Sequence, residues 1–315
     1  MISKHPLTTL ATKVGHIDNF LCFASYENRC RSVADSLNIS AIGRSAIGLN
    51  INRNQFNGTN REYLSRRLGE STPIIEFNVS MPTIGADNVA HYLEEVFSGS
   101  SKSLLVDITT FTHEGLLILI KLLSLKKREM DTVRLVYVGA EEYSIGLDDE
   151  DKWLSKGTRE IRSVLGYPGL IFPSKRLHLI VLVGFETERA RSLIDAYEPH
   201  LLSLGVGTSL NSITQKNFKA NDLFFQRIAR TYQNCGIFEI APNDYQTTLS
   251  ALRNQANKNT EYNVVIAPMN TKISTIAAGL LAMENESLQL CYAQAELYNY
   301  ENYSSASNDC FLIEL

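Results

Sequence analysis

A short polar loop late in the chain brings together residue types that bind phosphate. Residues 268–274 follow an apolar run and precede a stretch of small apolar residues, which predicts a loop between a strand and a helix. Asn270, Thr271 and Lys272 place an amide, a hydroxyl and an ammonium at the predicted helix N-terminus, where backbone N–H groups attract anions. The same residues also fit an ordinary threonine N-cap beside a solvated lysine. The glycines of a Walker A loop do not occur in this segment.

An earlier loop at residues 107–114 has the same position between an apolar run and an apolar helical stretch. Asp107 ends the run, and Thr109 and Thr110 follow it, without a lysine. Asp107 suits hydrogen bonding to a ribose hydroxyl or the orientation of a neighbouring loop, whereas His113 and Glu114 fit a helix cap. We therefore expect the two loops to bind phosphate unequally.

These two loops belong to an internal duplication. Residues 105–144 and 264–299 both read as strand, polar loop, helix and strand, and both close on Tyr-x-x-Ala-Glu-x-Tyr. A carboxylate between two tyrosines can hold a nucleobase or a ribose, but a repeated motif also fits a structural turn or a contact between halves. The candidate ligand-binding residues of this motif are Tyr137 and Glu141 in the first copy and Tyr292 and Glu296 in the second. The copies differ most where Asn270-Thr271-Lys272 stands against Thr110-Phe111-Thr112.

A second matched pair of segments contains arginines. Residues 26–33 (YENRCRSV) resemble residues 185–193 (FETERARSL) with one residue inserted. Arg29 and Arg189 follow the first predicted strand of each half, and guanidinium groups suit bidentate contacts to phosphate. Glu27 and Glu186 either pair with these arginines or act as an acid and a base.

The order of apolar runs predicts the fold. Short strands alternate with helices of ten or more residues in both halves, which is typical of parallel β-α-β units. We predict an α/β protein made of two duplicated Rossmann-like halves, each a mostly parallel sheet flanked by helices. The first half is predicted at residues 1–150, a linker region at 151–176 and the second half at 177–315. Ligands of such sheets lie beyond the carboxyl ends of the strands.

The remaining segments are polar. Residues 1–18 predict an arm, residues 50–60 a loop, residues 61–69 a short basic helix and the residues after 299 a polar tail. Between the halves, the charge run at 148–152 precedes a predicted amphipathic helix at 156–164 and a Gly/Pro-rich loop at 166–173.

Composition limits the class of protein. The 315 residues are 44% hydrophobic and 20% charged, as in ordinary globular proteins. A net charge of −4 from well-mixed residues argues against a protein built to hold duplex nucleic acid. The five cysteines show no C-x-x-C spacing and are interpreted as buried reduced thiols. Neither a signal peptide nor a membrane-spanning run is recognised, so a cytoplasmic location is expected, and the sequence identifies no cofactor and no metal site.

A strand followed by a loop ending in Thr271-Lys272 and a helix of small apolar residues (residues 267–282) resembles the CRISPR-associated Rossmann-like sensor domains. The pairing of two such halves is similar to the fused sensor domains of bacterial antiphage signalling. That resemblance implies two facing units that bind a cyclic oligonucleotide across their strand ends. The loop of that family is usually rich in glycine before Thr-Lys, whereas Pro268, Met269 and Asn270 stand here.

Three functions are compatible with the sequence. The leading hypothesis is a sensor that binds a nucleotide second messenger between its halves and acts with a partner protein or as a homo-oligomer in antiphage defence. A second hypothesis is a hydrolase or glycosidase acting on nucleotides or NAD, with Glu27, Glu186, Glu141 or Glu296 as acid or base. A third is a structural subunit of a defence complex.

Overall fold

The computed structural model describes residues 1–50, 55–98, 100, 102–144, 153–232, 234–301 and 303–315, with the side chains of residues 55 and 56 excepted. It contains two compact units. The first unit comprises Met1–Glu142 and Ser304–Leu315, and the second comprises Tyr143–Tyr303. Each unit contains a β-sheet with its own hydrophobic core.

Strands and helices alternate along most of the chain. The strands are β1 (Ile2–Pro6), β2 (Ile17–Ala24), β3 (Ile42–Asn50), β4 (Ile74–Phe77), β5 (Ser103–Asp107), β6 (Thr132–Tyr143), β7 (Ser155–Pro168), β8 (Arg176–Leu182), β9 (Leu201–Gly207), β10 (Gly236–Ile240), β11 (Tyr262–Pro268), β12 (Gln289–Tyr298) and β13 (Ser304–Glu314). The α-helices are α1 (Leu10–Val14), α2 (Ser32–Ser36), α3 (Gln55–Leu68), α4 (Pro82–Val96), α5 (His113–Lys126), α6 (Thr187–Tyr197), α7 (Gln215–Thr231), α8 (Tyr245–Asn257) and α9 (Lys272–Glu284). Short 3-10 helices lie at Leu7–Thr9, Asn28–Arg31 and Ile39–Ala41. Across the described ranges, no helix combines the length and the apolar character needed to cross a membrane.

The parallel core of both sheets has the same strand order. The first sheet runs β1-β13-β6-β5-β2-β3-β4, and the second runs β10-β9-β8-β11-β12-β7. Parallel ladders join β4-β3-β2-β5-β6 and, equivalently, β10-β9-β8-β11-β12. In chain order, each parallel core begins with its central strand, adds two strands on one side of it and then two on the other side. This is the Rossmann-like order. The prediction of an α/β fold with two duplicated Rossmann-like halves, each a mostly parallel sheet flanked by helices, is confirmed.

The helices that follow the central strands are buried because they are apolar around most of their circumference. In α9, buried positions run from Ile273 through Gly279 and include Leu281 and Ala282. Helix α5 buries Leu116, Leu119, Leu123 and neighbouring apolar side chains in the same way. A helix without a polar face is typical of the interior of a layered α/β domain.

Each unit takes its sixth strand from the segment that follows the parallel core of the other unit. Strand β7 follows β6 along the chain but pairs antiparallel with β12. Strand β13 follows β12 but lies between β6 and β1, and it is antiparallel to β1. The exchange of an equivalent element is the topology of a domain swap, here within one chain.

The strands at the two ends of the chain correct the prediction of a polar arm at residues 1–18 and a polar tail after residue 299. Residues Ile2 and Ile313 face each other where β1 pairs with β13. In β13 the residues before Cys310 are polar and mostly exposed or half-buried, and only residues 310–313 form a buried apolar run. Because β13 begins with polar residues, its hydrophobic pattern alone does not predict a strand.

The predicted helix at residues 156–164 is wrong, because these residues lie within β7. Its lysine, arginine and glutamate residues resemble the polar face of an amphipathic helix. In the sheet they lie on an edge strand, where charged side chains discourage pairing with other chains. The predicted loop at 166–173 begins only after β7 ends at Pro168.

Other boundaries also differ from the prediction. Helix α3 begins at Gln55, so the predicted loop at 50–60 is shorter and the predicted helix at 61–69 is longer than expected. Residues 51–54 and the charge run at 148–152 lie outside the described residues. Whereas the sequence divides the chain at 1–150, 151–176 and 177–315, the structure includes β7 in the second unit and residues 304–315 in the first.

The exchanged strands predict a specific effect of truncation. Deleting residues 304–315 removes a strand from inside the first sheet, leaving β6 with an unpaired edge and β1 without its partner. We expect hydrogen–deuterium exchange of the β1 and β6 amides to accelerate, while the β8 and β11 amides of the second unit stay protected. A separate peptide of residues 304–315 should restore protection and a scrambled peptide should not. Unchanged protection of β6 after truncation would contradict the topology.

Candidate functional site

The predicted loops at residues 107–114 and 268–274 follow β5 and β11, which border the topological switch point of each parallel core. This point falls between β2 and β5 in the first sheet and between β8 and β11 in the second. In open α/β sheets the carboxyl ends of the two strands at this switch point form the usual ligand crevice.

In the second unit, the side chains of Asn270 and Thr271 fasten three loops together. The Asn270 amide donates to the Val183 carbonyl at 2.5 Å, and its oxygen accepts from the Thr271 N–H at 2.9 Å. The Thr271 hydroxyl donates to the Pro242 carbonyl at 2.7 Å and accepts from the Ser274 N–H at 3.2 Å. Thr271 is therefore the N-cap of α9. Both side chains hold the loop in place through hydrogen bonds within the protein, so neither is the main candidate for contact with a ligand.

The loops after β8 and β11 touch each other at Gly184. A Cβ atom at this position would lie 1.9 Å from the Met269 carbonyl oxygen, so only glycine fits. The Asn221 side chain closes the same place from α7 by donating to the Val183 and Gly184 carbonyls at 2.9 and 3.0 Å. Protein atoms thus fill the space between these two strand ends.

Lys272 is the first residue of α9 and is half-buried. The structure therefore places it beside the cap, as the sequence predicted. The dipoles of the first helical turn and the ammonium group both favour an anion at this position.

In the first unit, threonines hold the equivalent loop. The Thr110 hydroxyl donates to the Phe23 carbonyl at 2.9 Å, and the Thr109 hydroxyl accepts from the Val138 N–H at 3.0 Å. Thr112 is the N-cap of α5 and accepts from the Gly115 N–H at 2.9 Å. As in the second unit, the predicted contact residues Thr109 and Thr110 are used to build the loop.

The strand pairings correct the alignment of the two loops. When Tyr137 is aligned with Tyr292, Leu135 matches Leu290, and their partners Val106 and Ile266 become equivalent. Asp107 then matches Ala267, and the helix caps lie five residues later at Thr112 but four residues later at Thr271. The first loop is therefore longer by one residue. By sequence, Asn270-Thr271-Lys272 aligns with Thr110-Phe111-Thr112. The structure instead makes the cap Thr271 equivalent to the cap Thr112, and the first helical residue Lys272 equivalent to His113, so the last two positions of that alignment are wrong by one residue.

Phe111 lies in the first loop and is 2% exposed. Its ring lies 4.8 Å from that of Phe23 and 6.0 Å from that of Phe77, measured between centroids. These aromatic rings form an apolar surface at the carboxyl ends of the strands of the first sheet.

Asp107 is buried and only partly satisfied. One carboxylate oxygen accepts from the Thr109 N–H at 2.9 Å, while the other has no hydrogen-bond partner among the described residues. Burial raises the pKa of Asp107 to about 7, because the charged form is poorly solvated in this position. Asp107 orients its own loop and, at 2% exposure, does not reach a ligand in solvent.

Arg29 forms a buried ion pair instead of a phosphate site. Its guanidinium donates to the Glu27 carboxylate at 2.7 and 3.0 Å and to the Val138 carbonyl at 3.0 Å. The side chains of Arg29 and Glu27 are 4% and 8% exposed. The same Glu27 oxygen accepts from the hydroxyl of Ser304, the first residue of β13, at 2.5 Å.

The second unit repeats this arrangement with different residues. Arg189 donates to the Ala293 carbonyl at 2.8 Å and pairs with Glu186. Glu186 accepts from the hydroxyl of Ser155, the first residue of β7. Burial lowers the pKa of Arg189, but Glu186 and the surrounding tyrosines together outweigh this effect and hold the pKa above its ordinary value. In each unit the ion pair therefore fastens the start of the exchanged strand, and neither arginine is available to an external phosphate.

The tyrosine and glutamate motif does not form one contact surface. Tyr137 is 3% exposed and stacks on Phe311, and Tyr292 is 6% exposed, so neither offers an open ring face to a nucleobase. Glu141 and Glu296 are exposed, and both lie within the long strands β6 and β12 instead of in loops after them.

Within the described ranges, the cysteines and the possible metal ligands form no further site. All five cysteines are free, and burial raises the pKa values of Cys30 and Cys291 to about 12 and that of Cys310 to about 11. Such thiols are unreactive at neutral pH. No group of three or more His, Cys, Asp or Glu side chains gathers at metal-binding distance in the described residues.

Ser155 and Ser304 are the site residues that sequence reasoning missed. A single serine in a polar segment carries no signal. The useful signal is positional, because each serine opens the strand that follows one copy of the Tyr-x-x-Ala-Glu-x-Tyr motif.

Comparison with known proteins adds little to this geometry. No protein-family model matches the chain, and no curated protein matches it. The structure of the cytoplasmic domain of a prokaryotic cation chloride cotransporter aligns over 91% of this chain and 98% of its own, with 11% identity and a TM-score of 0.26. Phosphoethanolamine N-methyltransferase 1 of Haemonchus contortus, with phosphoethanolamine and S-adenosylhomocysteine bound, aligns over 98% of this chain and 90% of its own, with 6% identity and a TM-score of 0.26. Scores this low carry no argument, and the fold assignment therefore stands on the strand order.

The buried ion pair predicts a large cost of substitution. Arg29→Met leaves the Glu27 carboxylate buried without its partner, and we expect the first unit to lose about 3–5 kcal/mol of stability. Hydrogen–deuterium exchange of the β2 amides measures this loss within that unit. The matched control is Lys126→Met, which breaks the exposed Lys126–Glu94 pair and should cost under about 1 kcal/mol. Equal effects of the two substitutions would contradict the structural role of Arg29.

Asp107 predicts a pH dependence of stability. Its raised pKa means that the folded chain binds this proton more tightly than the unfolded chain, so its contribution is present at low pH and is lost between about pH 4 and about pH 7. Asp107→Asn keeps an acceptor for Thr109 and removes the charge. We expect little change at low pH and a gain of a few kcal/mol above pH 7 in chemical denaturation of the first unit. Asp87→Asn, on an exposed carboxylate of α4, is the control, and identical pH profiles for both variants would refute the assignment.

Proposed function

We propose that this chain is a tandem Rossmann-like binding protein that holds a nucleotide-type ligand at the N-terminus of α9 in its second unit. The observation that carries the proposal is the position of Lys272 at the start of a helix that leaves the switch point of the sheet. An ammonium group and the positive end of the helix dipole meet there, and both favour a phosphate group.

The surrounding bonds support a preorganised site. Asn270 and Thr271 tie the loop to the neighbouring loops through the Val183 and Pro242 carbonyls. A loop held in this way pays little ordering entropy when a ligand binds. In this proposal Lys272 contacts the phosphate, and Asn270 and Thr271 are positioning residues.

The proposal assigns phosphate binding to the second unit alone. At the equivalent helix start the first unit has His113 followed by the buried Glu114, and the buried Asp107 lies at the end of the preceding strand. Carboxylates oppose the binding of a phosphate. Binding of one nucleotide per chain is therefore expected.

The biological setting of the proposal comes from the resemblance of residues 267–282 to antiphage sensor domains. It is a cytoplasmic sensor whose ligand is a nucleotide second messenger, and which acts with a partner protein or a second copy of itself in defence.

Calorimetry with cyclic and linear nucleotides tests the proposed site. We expect the wild-type chain to bind at least one of them and Lys272→Ala to bind it about 10-fold more weakly or worse, since a hydrogen bond to a charged group contributes about 1.5–3 kcal/mol. Lys219→Ala, which removes an exposed lysine of α7, is the matched control and should bind as the wild type does. Absence of binding by any cyclic or linear nucleotide would overturn the proposal, as would equal affinity of the Lys272 variant.

A further inference from the structure

The loop between β7 and β8 carries three consecutive apolar side chains on its surface. Leu170, Ile171 and Phe172 are 56%, 51% and 47% exposed. Half of the surface of three large side chains is on the order of 300 Å², which is the size of patch that often marks an interaction site. Single exposed apolar side chains are common on protein surfaces, but three in succession at the tip of one loop require an explanation.

Hydrogen bonds hold the backbone of this loop in one conformation. The buried side chain of Asn263 in β11 accepts from the Phe172 N–H at 2.9 Å and donates to the Phe172 carbonyl at 2.8 Å. The same amide donates to the Lys175 carbonyl at 3.1 Å, and the Lys175 N–H donates to the Phe172 carbonyl at 3.0 Å. At the other end of the loop, the Leu170 N–H donates to the Ser287 carbonyl at 3.2 Å. The loop is therefore preorganised, and covering its apolar side chains would cost little ordering entropy.

The first unit covers apolar side chains at the corresponding point of the chain. The segment that leads into its central strand β2 contains α1, whose Leu10 and Val14 are 0% and 5% exposed. In the second unit the segment that leads into the central strand β8 is the loop that exposes residues 170–172. Exposure of apolar side chains at this point is thus not a requirement of the duplicated scaffold.

Two exposed charges of opposite sign lie at opposite ends of the loop. Lys175 is at its carboxyl end, with the ammonium group 5.5 Å from the centroid of the Phe172 ring. Glu286 is at its amino end, because it precedes Ser287, whose carbonyl accepts from the Leu170 N–H.

The charges around the loop are balanced. Arg176 follows Lys175, and Glu261 follows Thr260, whose carbonyl accepts from the Lys175 ammonium at 2.9 Å. Together with Lys175 and Glu286, these exposed side chains give two positive and two negative charges. A rim of positive charges would favour an anionic membrane, whereas a rim with both signs is complementary to itself.

We infer that the loop at residues 169–175 is the centre of a two-fold interface between two copies of this chain. A two-fold axis through the middle of the loop places the carboxyl end of each loop against the amino end of the other. Each Lys175 then faces Glu286 of the partner subunit, and the apolar side chains of the two loops cover one another. Two-fold dimers are the commonest oligomers of soluble proteins, and their interfaces have an apolar core within a polar rim. Because a standard interface buries about 800 Å² on each partner, the apolar patch supplies the core and the polar surface around it supplies the remainder.

Sedimentation equilibrium of the full chain tests this inference. We expect the wild type to double its mass reversibly as its concentration rises from about 1 μM to about 1 mM. Ile171→Asp brings two like charges together near the two-fold axis and should remain monomeric over this range. The matched control is Leu125→Asp, which changes a side chain of α5 that is 67% exposed and should dimerise as the wild type does. A monomeric wild type would overturn the inference, as would equal association of the two variants.

Charge reversal tests which side chains face each other. Lys175→Glu and Glu286→Lys each bring like charges together, so each variant alone should dimerise about 10-fold more weakly or worse. In an equimolar mixture, every facing pair between the two variants has opposite signs again, and dimerisation should recover. A mixture that associates no better than the separate variants would contradict the two-fold arrangement.

Two further measurements separate the interface from other roles. The wild type should not float with vesicles of phosphatidylcholine and phosphatidylserine, and flotation of a monomeric chain that Ile171→Asp abolishes would assign the loop to a membrane and overturn the inference. Lys272→Ala should dimerise as the wild type does, because the interface does not depend on the proposed nucleotide site. Failure of the nucleotide proposal and failure of this inference therefore give different results.

Discussion

The buried arginine–glutamate pair of each unit is the interaction on which the arrangement of the strands depends. Arg29 joins Glu27 to the backbone of β6, and Arg189 joins Glu186 to the backbone of β12. Taking both charges out of water is costly, and it is tolerated only where further hydrogen bonds complete the groups. A serine hydroxyl from the first residue of the exchanged strand supplies one of those bonds in each unit. In each unit the ion pair is therefore hydrogen-bonded to the first residue of the exchanged strand.

This exchange makes each sheet dependent on a distant part of the chain. The first sheet is completed by a strand that follows the whole parallel core of the second unit, and the second sheet by the segment between the two parallel cores. Contacts of such large sequence separation form late, because closing a long loop costs entropy before the contact stabilises the chain. Duplication with exchange thus couples two units that would otherwise be complete by themselves.

Sequence patterns predicted the parallel cores because buried parallel strands are continuous apolar runs, as in residues 104–108 and 264–268. They failed at β7 and β13, where solvated positions dilute the apolar signal. They also could not tell whether Arg29 and Arg189 face solvent or the interior, since the same residue types suit a phosphate site and a buried ion pair. The threonine cap of α9 was predicted, because Thr271 acts on its own local backbone, whereas the cap of α5 was assigned to His113 and Glu114 and is formed by Thr112.

The differences between the two units are more informative than their shared framework. Equivalent positions of one scaffold experience similar backbone geometry, so a change of residue type between them is an internal control for structural need. Thr112 and Thr271 are the same residue because both helices require a cap, whereas His113 and Lys272 differ although either suits a first helical turn. Asn19 and His178 occupy equivalent positions and also differ, and the His178 ring bonds the Ser203 hydroxyl while its Nδ1 has no hydrogen-bond partner among the described residues. The scaffold explains what the units share, and the phosphate contact that we propose for Lys272 would explain one of the differences between them.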